Sequence, residues 1–352
     1  MDDDLPYIAT FTPWEQVLCA WGRLQAYDGQ WQTSSEKFVL PKVDISPTFM
    51  TSSSYRTIPV GTNEYEMFNF LTDCFTEPAR LEAKRFNEKL SPAEYWVQHS
   101  ANMKQKHPGA TPKQLRGALY AATIEVMNFR LTVAVSLYDM FLPHSVFDPC
   151  AGHGDRAIAA MSRSYIRSYI ACEPNIASQK GIMNAVKIFS GDKNVCIHAI
   201  PFEDYLFDSS EFHDLVFTSP PYYDVEVYCN DETQSIMKHK TEKEWYARFL
   251  LLTFVRCWQH VTPNGHMVIA INNVINHRCG KMQFSHTEKL VHDLTAMCPS
   301  ANFLGVVAFG NRQTKLEPMF VWHKEQPVVK TCTYKQLRRH RRQRRDVKRC
   351  KN

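Results

Sequence analysis

The chain has 352 residues, 44% hydrophobic and 22% charged, which fits a globular protein with one large domain and an appendage. It has no apolar run as long as a membrane span, and the acidic start Met1-Asp2-Asp3-Asp4 is unlike a secretory signal. The 11 cysteines occur singly with no C-x-x-C pair, which argues against a zinc ribbon or disulfide framework and for a reducing, intracellular setting.

Pro13 to Ala26 spaces Trp14, Val17, Leu18, Trp21 and Leu24 along one face of a helix. Thr51 to Arg56 is polar and reads as loop. Ser91-Pro92-Ala93-Glu94 is a capping box with proline at the first helical position, and Thr111-Pro112-Lys113-Gln114 repeats the device. The second box opens one helical pattern through Leu115, Leu119, Ile124 and Leu131 to Met140, ended by Pro143. Residues 1–110 therefore read as a mainly helical accessory region, 111–325 as the main domain and 326–352 as a basic tail.

From Ser145 the pattern alternates. Strands are expected at 145–149, 168–173, 194–200 and 214–218, with helices at 154–163 and 175–189 between them. A helix over 241–260 opens on Thr241-Glu242-Lys243-Glu244, and Pro263-Asn264-Gly265 turns into a strand at 266–272. A further helix starts at Ser285, before two β-rich runs at 303–309 and 319–322 that read as a hairpin. Such alternation predicts an α/β fold, a mostly parallel sheet with helices on both faces.

Two stretches carry chemistry. In Val146-Phe147-Asp148-Pro149-Cys150-Ala151-Gly152-His153-Gly154-Asp155, glycines after a strand let the backbone approach a ligand, and the following helix offers free N–H groups. Position 157 is alanine, where dinucleotide binding asks for a third glycine, and no Lys-Ser/Thr follows as in a phosphate loop. The second stretch is Thr218-Ser219-Pro220-Pro221-Tyr222-Tyr223, after the apolar run Asp214-Leu215-Val216-Phe217. Two prolines cannot continue a ladder, so the chain leaves the sheet in a stiff turn at the strand's carboxyl edge. In open α/β sheets that edge is where ligands bind.

Together, D-P-x-x-G-x-G and S-P-P-Y resemble the class I S-adenosylmethionine-dependent amino-methyltransferases, in particular DNA methylases of phages and large DNA viruses. The resemblance implies a Rossmann-like fold, a seven-stranded sheet ending in a hairpin. It also implies a site for S-adenosylmethionine formed by Asp148, Cys150, Gly152, Gly154, Asp155, Glu173, Phe202 and either Glu203 or Asp204. Glu173 would bind the ribose hydroxyls and one of the later acids the adenine amine. Asn128-Phe129-Arg130, expected on a helix, resembles the segment that contacts the methionine part. Cys150 departs from the family, which often has an aromatic residue there.

The resemblance makes Ser219, Pro220, Pro221 and Tyr222 the catalytic turn. An exocyclic amine is a poor nucleophile because its lone pair is delocalised into the ring. Ser219 and the Pro220 carbonyl can accept its hydrogen bonds, and Tyr222 can stack on an extruded base. The turn has no cysteine, which excludes attack on carbon 5 of cytosine. Serine at its head favours cytosine N4 over adenine N6.

The net charge of +5 is unevenly spread. Residues 335–352 hold ten Lys/Arg and one acid, leaving 31 basic and 35 acidic residues elsewhere. Arg338, Arg339, Arg341, Arg342, Arg344 and Arg345 form a candidate nucleic-acid arm or nuclear-import signal, expected to be disordered until bound. The expected partner is DNA, reached in the nucleus or at a site of viral replication if the source is a eukaryotic virus, otherwise in the cytoplasm. RNA as substrate, and a catalytically silent nucleic-acid-binding module, are the alternatives.

Overall fold

A strand with apolar side chains on both faces must be covered on both, and the central strands here are of that kind. The structure, a computed structural model, describes residues 5–35, 55–60, 65–85, 90–123, 126–229, 231–275, 282–310 and 316–326. The strands of its main sheet are β1 (Gln32–Ser34), β2 (Tyr55–Pro59), β3 (Ser145–Asp148), β4 (Ser168–Cys172) and β5 (Asn194–His198). They continue with β6 (His213–Thr218), β7 (Val261–Ala270), β8 (Ala301–Gly310) and β9 (Glu317–Lys324). The nine strands lie in the order β1-β2-β8-β9-β7-β6-β3-β4-β5.

β5, β4, β3, β6 and β7 are parallel, and β9 turns antiparallel between β7 and β8. From β3 the chain builds outward through β4 to β5, then returns to lay β6 on the other side of β3. The carboxyl ends of β3 and β6 therefore flank a topological switch point, where a crevice opens.

The helices are α1 (Trp14–Gln25), α2 (Phe70–Glu82), α3 (Pro92–Lys106), α4 (Pro112–Ala122) and α5 (Leu131–Phe141). They continue with α6 (Asp155–Met161), α7 (Ile176–Phe189), α8 (Leu252–Gln259) and α9 (His286–Met297). Successive residues of a strand serve opposite layers. Val146, Leu215, Phe217 and Val268 join the core beneath α1, α2, α5, α6 and α7. Phe147, Val216, Met267 and Ile269 join the core beneath α8 and α9.

Both expected capping boxes at Ser91 and Thr111 form completely. At Thr241 only half forms, the side chain accepting from the Glu244 N–H. The helix after it passes through a π-helical stretch, Trp245–Leu251, which buries Trp245 and Tyr246.

Three expectations fail. The helix begun at Thr111 is not continuous to Met140: it ends at Ala122, and residues 126–130 are irregular before α5 starts. Tyr55 and Arg56 are not loop but open β2, paired in parallel with β8. Asn264 adopts φ +65 inside β7, so the strand begins at Val261 and carries the Pro263-Asn264-Gly265 turn within it.

The region before residue 111 does more than append helices. Its β1 and β2 widen the expected seven strands to nine, and α2 packs on α7, where the Cβ that Gly181 lacks would lie 2.4 Å from the Phe75 carbonyl oxygen.

Candidate active site

Asp148, the last residue of β3, is completely buried and surrounded by donors. Its Oδ2 accepts from Arg156 Nε and the Tyr169 hydroxyl, both at 2.7 Å. Its Oδ1 accepts from the Cys150 N–H at 3.1 Å and the Thr218 hydroxyl at 2.6 Å. Arg156 also donates to the Cys150 carbonyl. One carboxylate thus ties the glycine loop after β3 to the last residue before the Ser219 turn. Asp148 itself does not line the crevice.

The two glycines have different roles. Gly152, at φ +62, has open space where a Cβ would project. Gly154, at φ +93, would place a Cβ 2.6 Å from Ile182 Cγ1 on α7. Gly154 lets the chain pack closely on α7 and is not part of the crevice lining.

The crevice is a cavity of about 560 Å³. Its lining brings together ten of the expected residues: Cys150, Gly152, Asp155, Glu173, Phe202, Glu203, Ser219, Pro220, Pro221 and Tyr222. Asp204 is not among them; it is exposed beside Lys238, so of the two alternatives only Glu203 faces the cavity. Arg338, Arg339, Arg341, Arg342, Arg344 and Arg345 lie outside the described residues.

Glu173 accepts the Gly152 N–H at 2.7 Å on one oxygen and the Asn175 N–H at 2.9 Å on the other. Burial nevertheless pushes its carboxyl up to about 7. Burial likewise raises Asp155 to about 7, in the first turn of α6. Glu203 Oε1 is buried and lies 3.7 Å from Lys238 Nζ. Burial pushes the Cys150 thiol well above its ordinary range. Phe202 is held from behind by Arg256, whose guanidinium lies 4.8 Å from the ring centre and donates to the Glu203 carbonyl at 3.1 Å.

Residues 127–130 also line the cavity, as irregular chain and not as the expected helix. They are moored by a buried charge cluster. Asp73 accepts from Asn128 Nδ2 at 2.8 Å, from Arg80 Nη2 at 2.9 Å and from Arg116 Nη2 at 3.0 Å. Arg116 also pairs with Glu77 at 2.5 Å. Nothing in the spacing of residues 70–120 announces this cluster, because its members look like polar positions on ordinary amphipathic helices.

At the turn, Tyr222 donates to the Ala270 carbonyl at 3.3 Å, fixing its ring between β6 and β7. Tyr223 takes the left-handed φ of +52, uncommon for an aromatic residue. Sequence reasoning missed Asn272, Asn273, Glu317 and Tyr228, which also line the cavity. The strand order brings Asn272, Asn273 and Glu317 there.

These residues fit S-adenosylmethionine. Gly152 leaves room beside the loop, Glu173 can accept from a ribose diol, and Glu203 can accept from an adenine amine. Three acids in the wall suit a positively charged ligand, and Arg130 suits its carboxylate.

The strand order and the β8–β9 hairpin are those of the Rossmann-like class I methyltransferase fold. No protein-family model matches the chain, and no curated protein matches it. Among solved structures, the N-methyltransferase NodS from Bradyrhizobium japonicum is similar at 12% identity, over 56% of this chain and 95% of its own, with a TM-score of 0.36. A methyltransferase from Pyrococcus furiosus is similar at 13% identity, over 65% of this chain and 100% of its own, also at 0.36. Likenesses this low say nothing of substrate.

Proposed function

We propose that the chain transfers a methyl group to the exocyclic amine of a nucleobase in DNA, cytosine N4 in preference to adenine N6. One observation carries this reading. The cofactor loop and the Ser219-Pro220-Pro221-Tyr222 turn open into the same cavity, and Asp148 holds them in register through the Cys150 N–H and the Thr218 hydroxyl.

When bound, S-adenosylmethionine supplies an electrophilic methyl group on a sulfonium. Gly152, Asp155, Glu173, Phe202, Glu203 and Arg130 would hold it. The Ser219 hydroxyl and the Pro220 carbonyl accept hydrogen bonds from the target amine and aim its lone pair along the transfer axis. The prolines remove the freedom that would blur this aim. Tyr222, anchored at its hydroxyl, presents a face to an extruded base. The preference for cytosine rests on the serine heading the turn. The arginines of residues 338–345 are the proposed contact to phosphate, and the site of action is wherever the target DNA lies inside the cell.

The test is transfer of tritiated methyl from the cofactor to DNA and to RNA, followed by nucleoside analysis. N4-methylcytosine in DNA is the expected product. Label appearing only in RNA would replace the substrate, and no label in either, with cofactor still bound, would leave a silent binding module.

A further inference from the structure

β6 and β7 run parallel with Thr218 beside Ile269, so the Ser219 turn and Ile271-Asn272-Asn273 leave the sheet side by side. β9 lies antiparallel on the other flank of β7, with Met319 opposite Ala270, which brings Glu317 level with Asn272. Asn272 Nδ2 donates to Glu317 Oε2 at 2.7 Å, and its Oδ1 accepts the Asn273 N–H at 2.9 Å. Asn273 Oδ1 in turn accepts the N–H and the hydroxyl of Thr287, at 3.1 and 3.0 Å.

Two donors on Oδ1 fix which end of the Asn273 amide is nitrogen. That nitrogen, on a residue only 6% exposed, has no partner among the described residues. Asn273 lines the same cavity as Ser219, Tyr222 and Glu317. A buried N–H₂ without an acceptor is costly until a ligand provides one.

We infer that Asn273 reads the hydrogen-bonding edge of the target base, its amide donating to the ring nitrogen beside the amine that the Ser219 turn holds. This rests on the function proposed above and narrows it. A donor beside an acceptor complements an amidine edge, N1 and N6 of adenine or N3 and N4 of cytosine. Thymine, uracil and guanine carry a ring N–H there and would set donor against donor, which such a site rejects strongly.

The test crosses protein with base. Oligonucleotides carrying cytosine or adenine are compared with matched ones carrying 3-deazacytosine or 1-deazaadenine, which keep the amine but replace the ring acceptor by C–H. Wild type, Asn273→Ala and Asn273→Asp are assayed at saturating cofactor. The aspartate variant keeps the acceptor that Thr287 needs, so a loss from misfolding is separable by thermal melting. Wild type should lose about tenfold or more in kcat/KM on the deaza base. The alanine variant should lose as much on the ordinary base, with no further loss on the deaza one. Losses that multiply, or an alanine variant as active as wild type, would overturn the role of Asn273 while leaving methyl transfer standing. Wild-type protein that labels no amino base at all would remove both readings.

Discussion

Glu173 receives two backbone N–H groups, an arrangement that favours its ionised form, yet burial outweighs them and carries the carboxyl from 4.5 to about 7. A carboxyl raised on folding stabilises the protein below its unfolded value and stops doing so as pH climbs through its folded value. Cofactor-free protein should therefore lose stability between about pH 4.5 and 7, with Asp155 contributing in the same direction. Ribose hydroxyls donating to Glu173 favour the ionised form, so cofactor affinity should move the opposite way and tighten from pH 6 to pH 8. Glu173→Gln should weaken binding and flatten that pH dependence. Calorimetry at the two pH values checks it, and equal wild-type affinities would contradict the assignment. Tyr222 makes a second residue-scale prediction. Its hydroxyl anchors the ring to the Ala270 carbonyl, so Tyr222→Phe should cost less turnover than Tyr222→Ala, which forfeits stacking of roughly 1–3 kcal/mol per base. Single-turnover rates for both variants compare the two roles, and a phenylalanine variant as impaired as the alanine one would give the hydroxyl a part in the chemistry.

Among the elements, the glycine loop was legible as a motif but not in its division of labour. Gly152 and Gly154 look equivalent in sequence; only the position of α7 shows that a side chain at 154 strikes Ile182 while one at 152 meets open space. Both residues have positive φ, so both substitutions strain the backbone. Gly154→Val should add a packing conflict between α6 and α7 and lower the melting temperature more. Gly152→Val should lose cofactor binding with the smaller loss of stability. Melting curves and calorimetry on the two variants decide it, and the reverse order would mean the loop is oriented differently. The same limit explains the α4–α5 break. Apolar spacing runs on through Ile124, but Val126 and Asn128 are held by Arg80 and Asp73, and that long-range mooring outweighs local helical preference. The strands of the parallel sheet were readable because both their faces are apolar. β1 and β2 were not, since they are short and partly polar, β2 being a strand by pairing with β8 and β1 by pairing with β2.

For the whole molecule, charge matters more than any single contact. Residues 335–352 hold ten Lys/Arg and one acid, and the remaining chain 31 basic against 35 acidic residues. The body should therefore be weakly attracted to a polyanion, and the cavity wall, with Asp155, Glu173 and Glu203, more weakly still. Affinity for nucleic acid should reside in the tail. Arg338, Arg339, Arg341, Arg342, Arg344 and Arg345 can neutralise phosphates without reading bases, releasing condensed counterions as they do. Each phosphate neutralised on duplex DNA steepens the dependence of log affinity on log salt by about 0.9. Removing residues 335–352 should weaken binding to DNA of any sequence and flatten that slope by several such increments. It should also raise the Michaelis constant for DNA while leaving turnover at saturation nearly unchanged, because the tail is remote in sequence from the catalytic turn and adds affinity without chemistry. The competing use of such a run is nuclear import, which touches no substrate. Titrations of full-length and truncated protein at two salt concentrations separate the two. A slope that falls on truncation assigns the arginines to phosphate, and superimposable curves would leave only import.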